Sequence, residues 1–217
     1  MSKRNNIISL IFNALNVIFV TASVVGFFVA TGSGNMQVAG AKCFMYFTID
    51  SNILAALASL CMCIFSIAHI KDAKSEIPKW LSLFKFVGTT AVTVTFLTVI
   101  FFLGPTMGYG LMFAGSSLFL HLINPLLCII SYVCLENSKE QPTKYFLLGI
   151  LPTAIYGAVY ITMVVFLQKW QDFYGFNTGG FWYISLPAML LATCLFAICL
   201  WKTHQKVSSK HYINDKN

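Results

Sequence analysis

Long apolar runs separated by short polar joints make up most of this chain. A helix crosses about 30 Å of hydrocarbon with about 20 apolar residues. Six runs are long enough: 7–30, 44–70, 81–104, 116–135, 145–168 and 181–201. The pattern predicts an all-α, polytopic membrane protein, a six-transmembrane-helix bundle. Glycine and proline mark the joints. TGSG at 31–34 ends the first run, Gly104 and Pro105 end the third, and Gly179 and Gly180 precede the sixth. The connections are short, which favours antiparallel neighbours. Pro152 and Pro187 are expected to kink the fifth and sixth helices. The first run is longer than the apolar core of a signal peptide, and cleavage chemistry at 30–34 is weak, so a retained helix is expected. No internal repeat of the transporter kind is visible.

Composition agrees with the pattern. Of 217 residues, 58% are hydrophobic and 10% charged, with a mean hydropathy of +0.76. That is too little polar surface for a soluble domain of this size. The length suits one membrane domain. The net charge of +7 follows topology. Lys3, Arg4, Lys71, Lys74, Lys79, Lys85, Lys139, Lys144, Lys202, Lys206, Lys210 and Lys216 fall on one side, against Lys42 and Lys169 on the other. This bias predicts both termini in the cytoplasm, with 202–217 a basic cytoplasmic tail carrying His204 and His211. No basic stripe interleaves with aromatics, which argues against a nucleic-acid partner. Compact loops suit a bacterial plasma membrane. Cys61, Cys63, Cys128, Cys134, Cys194 and Cys199 fall in the cytoplasmic halves of the runs, and only Cys43 lies near the outer face. Reduced thiols and no disulfide framework are expected.

Ionisable residues deep in a span are functional candidates. Two stand out: Asp50 in the second run and His121 in the fourth. Lys85 and His69 lie near cytoplasmic ends, where they are expected to snorkel to the interface. Thr48, Ser51 and Asn52 share one helical face, from which Asp50 points away. His121, Asn124 and Pro125 share another. Pro125 has no backbone N–H, so a kink and a freed carbonyl are expected there. Thr48 lies four residues into its run and His121 five, which at 1.5 Å per residue puts both roughly 6–8 Å below the outer ends. The two polar faces can meet at one level. A hydroxyl beside an imidazole offers a nucleophile and its base for attack on an ester carbonyl. Asn124, Asn52, Ser51 or a tyrosine would hold the oxyanion. The competing reading of Thr48 is a hydroxyl bonded to the carbonyl a turn back; that of His121 is a satisfied interhelical bond. Asp50 would orient His121, pair with Lys42 or Lys169, or bind a cation. Tyr109, Trp170, Tyr174, Trp182 and Tyr183 fit an interfacial aromatic belt. The loop 171–180, with Asp172 and Asn177, either folds over a site or is ordinary surface.

The stretch YFTIDSNIL (46–54), a histidine in the fourth run and six spans resemble the androgen-induced protein family. Its animal members are intramembrane hydrolases of fatty acid esters of hydroxy fatty acids. The resemblance covers the six-helix layout, and the local match is the FT-x-x-SN segment, closest to a bacterial branch. It implies Thr48 and His121 as the catalytic pair, a threonine hydrolase acting on membrane lipid esters, and no metal or organic cofactor. Asp50, Ser51 and Asn52 depart from the animal pattern, which puts the substrate in doubt more than the pair. Two rivals stand beside this reading. One is a small transporter or lipid-binding protein that uses Asp50 and His121 as a relay or ligand site. The other is a non-catalytic scaffold whose polar residues hold helices together.

Overall fold

The computed structural model describes residues 3–29, 40–71, 76–139 and 141–214. The TGSG joint, Lys74 and Lys216 lie outside the described residues. Within them, six helices are long and apolar enough to cross a membrane. They are α1 (Lys3–Val29), α2 (Phe47–Ala68), α3 (Lys79–Met107), α4 (Ser116–Leu135), α5 (Thr143–Phe166) and α6 (Trp182–Asn214). No strand occurs among the described residues. The chain is a six-helix, all-α membrane protein, as the apolar runs predict.

The bundle is turned inside out relative to a water-soluble one. Ile18, Ile64, Phe101, Ile155 and Leu191 stand more than half exposed on its outer surface, where lipid is their natural solvent. The buried stripe of α1 is polar: Asn5, Asn6, Ser9, Asn13, Asn16 and Ser23, joined only by Val20. In hydrocarbon a polar side chain on the outside has no water to bond, so polar groups turn inward and bond across helices. α3 is the most enclosed span, while α1 and α6 are among the most lipid-facing. α2 and α3 approach closely where Gly88 meets Ala55; a Cβ on Gly88 would stand 2.9 Å from the Ala55 Cα.

Two proline-containing joints use the same device. In α3 the segment Val99–Leu103 is a π-turn, and the Gly104 N–H reaches back five residues to the Val99 carbonyl. In that register the next donor would be Pro105, which has no N–H. The bypassed Ile100 carbonyl instead accepts the Tyr109 hydroxyl at 2.7 Å. The helix therefore runs past the expected stop at Gly104 and Pro105 and ends at Gly108, with φ 93°. In α4 the π-turn Phe119–Ile123 precedes Pro125, and the Asn124 N–H reaches the Phe119 carbonyl. The bypassed Leu120 carbonyl accepts Asn52 Nδ2 at 3.0 Å. This is the freed carbonyl expected at Pro125. Pro152 opens the α-helical part of α5 after a 3-10 segment, Thr143–Ile150. Pro187 lies within a continuous α6.

Two expectations are corrected. Lys85 does not snorkel. It is 1% exposed, donates to Asn13 Oδ1 and to Ser59 Oγ at 2.9 Å, and stands 3.9 Å from Glu136 Oε1. Polar partners on α1, α2 and the end of α4 supply inside the bundle what the interface would supply outside. The tail read at 202–217 begins as helix, α6 continuing through 202–214, and His204 is not an exposed tail residue. His204 is 1% exposed, bonded to Tyr132 and Ser138. His69 keeps its expected place at the end of α2, bonded to the Phe65 carbonyl.

Removing one partner of a buried ion pair leaves the other charge uncompensated. Lys85→Met is therefore expected to destabilise the protein by about 3–5 kcal/mol, and adding Glu136→Gln should recover part of that loss. Thermal melts in detergent test this; a Lys85→Met protein that melts like wild type contradicts it.

Candidate functional site

Thr48 and His121 meet. Thr48 Oγ1 lies 3.4 Å from His121 Nε2, and the two residues are 4% and 3% exposed. The other imidazole nitrogen settles the roles. His121 Nδ1 lies 2.7 Å from the Met112 carbonyl oxygen. A carbonyl only accepts, so Nδ1 carries the proton and Nε2 presents its lone pair to the Thr48 hydroxyl. Met112 closes a one-turn helix, Tyr109–Met112, whose last carbonyls have no partner within it. The π-turn around His121 sets the ring's direction, and such turns recur at functional sites.

Thr48 differs from the back-bonded threonines of the bundle. Thr90, Thr93, Thr106, Thr162 and Thr193 each donate to the carbonyl four residues back. Thr48 lies in the first turn of α2, which is preceded by a separate 3-10 segment, Gly40–Met45, rather than by an α-helical turn, and its hydroxyl faces His121 instead.

The residues expected to hold an oxyanion do other work. Asn52 Nδ2 donates to the Thr48 carbonyl at 2.7 Å and to the Leu120 carbonyl at 3.0 Å. Asn124 Nδ2 donates to Asn52 Oδ1 at 3.3 Å. Ser51 Oγ bonds the Thr48 carbonyl at 3.2 Å and Thr95 Oγ1 at 2.8 Å. With these donors already engaged, Ser51, Asn52 and Asn124 lock α2 to α3 and α4 beneath the pair. Asp50 reaches neither His121, Lys42 nor Lys169. It is half-buried on the rim of a groove between α2, α3 and α5, beside Phe44, Leu54 and Trp170. The Met112 carbonyl orients His121, and a direct Asp50–His121 relay has no geometric basis.

Sequence reading missed Tyr174, which it placed in an aromatic belt. The Tyr174 phenol lies against the Thr48 hydroxyl, the backbone of Phe47 and Thr48, and Tyr156. The Ile49 and Asp50 N–H groups bond the Tyr46 carbonyl at 3.0 and 3.3 Å, which leaves those of Phe47 and Thr48 without an intrahelical partner where the helix dipole adds partial positive charge. Tyr46 supplies no side-chain cap. The Phe47 and Thr48 backbone groups bond the phenol oxygen, which brings the Tyr174 hydroxyl beside that of Thr48. Burial pushes the Tyr174 phenol up to about 12, so it stays protonated and able to donate. The clue in the sequence is Asp172 two residues before it. The Asp172 carboxylate accepts the Phe176 and Asn177 N–H groups at 2.9 and 2.8 Å and the Tyr160 hydroxyl at 2.8 Å. Tyr160 Oη accepts the Tyr174 N–H at 3.0 Å. The loop after α5 is thus folded over the site. Asp172→Ala removes three accepted bonds, which should weaken the fold of the loop by about 1–3 kcal/mol. Faster amide hydrogen exchange at Phe176 and Asn177 is the expected readout; unchanged exchange contradicts it.

An apolar pocket opens beside Thr48, with Phe47, Val94, Leu103, Phe176, Leu186 and Met189 in its walls. A second hydroxyl–imidazole pair gives a comparison. Ser138 Oγ lies 2.9 Å from His204 Nε2, and His204 Nδ1 donates to the Tyr132 carbonyl at 2.8 Å. The local chemistry matches, yet both residues are 1% exposed and border neither apolar pocket. His204 also stacks on Tyr132, with ring centroids 4.1 Å apart. That pair ties α6 to the end of α4; of the other pair, Thr48 borders the apolar pocket.

No family model, no curated protein and no solved structure matches the chain.

Proposed function

We propose that the protein is an intramembrane hydrolase of lipid esters, with Thr48 as nucleophile and His121 as its base. One observation carries this reading. An imidazole whose Nδ1–H is committed to the Met112 carbonyl presents a free lone pair to a threonine hydroxyl that borders an apolar pocket.

The chemistry follows from the geometry. His121 Nε2 takes the Thr48 proton as Oγ1 attacks the ester carbonyl, then gives it to the leaving alcohol. The N–H groups at the start of α2 and the Tyr174 hydroxyl stabilise the oxyanion. Water then cleaves the acyl-threonine, with His121 again acting as base. The pocket walls favour a fatty acyl chain, at about 0.8 kcal/mol per buried methylene. Thr48 and His121 are the residues that the resemblance to the androgen-induced protein family implies, and their contact at 3.4 Å is compatible with that resemblance; a bacterial branch and a plasma membrane are part of the same proposal.

The test is hydrolysis of a branched fatty-acid ester and of p-nitrophenyl acyl esters by the purified protein in detergent. Thr48→Ala and His121→Ala should each lower kcat by at least about 100-fold, while Ser138→Ala should retain activity. Tyr174→Phe should cost about 10- to 100-fold in kcat. A wild type that turns over no ester, or folded Thr48→Ala and His121→Ala variants at full rate, ends the proposal. Among short acyl chains, kcat/KM should rise about fourfold per methylene until the pocket is full. A flat chain-length profile would separate acyl-chain binding from the catalytic assignment.

A further inference from the structure

The polar interior does not stop at the candidate pair. Near the face that carries both chain ends, α1, α2, α3 and α4 enclose a charged cluster. Glu136 Oε1 accepts Ser9 Oγ at 3.1 Å and Asn13 Nδ2 at 2.7 Å. Lys85 bonds Asn13 and Ser59 and faces the same oxygen. The other carboxylate oxygen, Glu136 Oε2, is buried without a partner. Toward the opposite face lies the second cluster, Asn52, Asn124, Thr48 and His121.

The gap between the clusters is polar too. Asn16 lies one turn along α1 from Asn13, and Thr89 one turn along α3 from Lys85. They are 1% and 0% exposed. Neither end of the Asn16 amide has a hydrogen-bond partner, nor has the Thr89 hydroxyl; Asn124 Oδ1, on the far side of the gap, has none either. Ala55, Val92 and Cys128 form a small apolar cluster at this level, beside the polar groups. On α2, Ser59 and Asn52 mark the two clusters and are seven residues apart, or about 10 Å of helix. Buried groups of this kind are satisfied by ordered water, which needs two to four polar partners.

We propose that this column is the site of the second substrate of hydrolysis, water. It draws water from the face carrying the chain ends, past Lys85 and Glu136, along Asn16 and Thr89, to Asn124 and His121. The inference rests on the hydrolase reading and adds the route that reading lacks, because the acyl pocket has apolar walls. In deacylation the water oxygen bonds the acyl carbon and its proton passes to His121 Nε2. The bond from Thr48 Oγ1 to the acyl carbon breaks, and His121 returns the proton to Thr48. The released acid ionises, and its proton leaves through the water of the same column, past the amide, hydroxyl and carboxylate oxygens of Asn16, Thr89 and Glu136, which accept hydrogen bonds from it.

The test measures hydration directly, without ester. Protein labelled with 15N-histidine is placed in lipid bilayers, and magnetisation transfer from mobile water to imidazole N–H groups is followed by solid-state NMR. The His121 signal is the one missing in His121→Asn. Wild type should show transfer to His121. Asn16→Leu and Thr89→Val, which replace the polar wall at similar volume, should each reduce it at least threefold, with the His204 signal unchanged as the mark of an intact fold. Absence of transfer in wild type, or full transfer in either folded variant, overturns the column. The ester assay separates the two ideas. Transfer as expected without ester turnover leaves the hydrated column standing and removes the hydrolase; ester turnover with transfer indifferent to both variants does the reverse.

Discussion

A polar side chain carried into hydrocarbon has no water to bond, so a neighbouring helix must answer it. The rest of this structure depends on that constraint. It turns the asparagine and serine stripe of α1 inward, buries Lys85 beside Glu136, and leaves large apolar side chains on the outside. The core is assembled from hydrogen bonds between helices as much as from apolar packing. Each bond fixes the rotation of a helix about its own axis, which apolar contact with lipid leaves free.

The pair at Thr48 and His121 is built by this logic one carbonyl at a time. Pro125 withholds a donor, the π-turn before it shifts the register, and the Leu120 carbonyl is left for Asn52. Asn52 then grips the Thr48 carbonyl as well, so one side chain sets the spacing between the helices that carry the hydroxyl and the imidazole. Farther out, the orphan carbonyl of Met112 chooses the tautomer of His121. The same proline and π-turn device at Pro105, answered by Tyr109, folds the connection that delivers Met112. Local defects in hydrogen bonding thus become the means of positioning.

Comparison of the two hydroxyl–imidazole pairs shows why surroundings matter more than the pair itself. Ser138 and His204 have the shorter contact and the same tautomer logic, but they are packed into the join between α4 and α6. Thr48 and His121 lie where the start of α2, the loop carrying Tyr174 and an apolar pocket converge. The start of a helix, a protonated phenol and an adjoining apolar pocket are what set the surroundings of Thr48 apart from those of the fastening pair.

The six spans were legible in the sequence because length and hydropathy alone decide whether a helix suits a bilayer. The pairing of Thr48 with His121 was legible because two polar faces matched in depth, and the freed carbonyl because proline lacks a donor wherever it stands. Other features were not. Lys85 reads as an interfacial lysine until Asn13, Ser59 and Glu136, from three other parts of the chain, are seen to enclose it. His204 reads as part of a tail until Ser138 and Tyr132 are placed beside it. Asn52 and Ser51 read as oxyanion donors until their bonds are counted, and Tyr174 reads as a belt residue until Asp172 folds its loop inward. Hydropathy is a property of each segment against its solvent and can be read along one strand of text. The partner of a buried polar atom is a property of helix rotation and neighbour, and only the tertiary structure decides it.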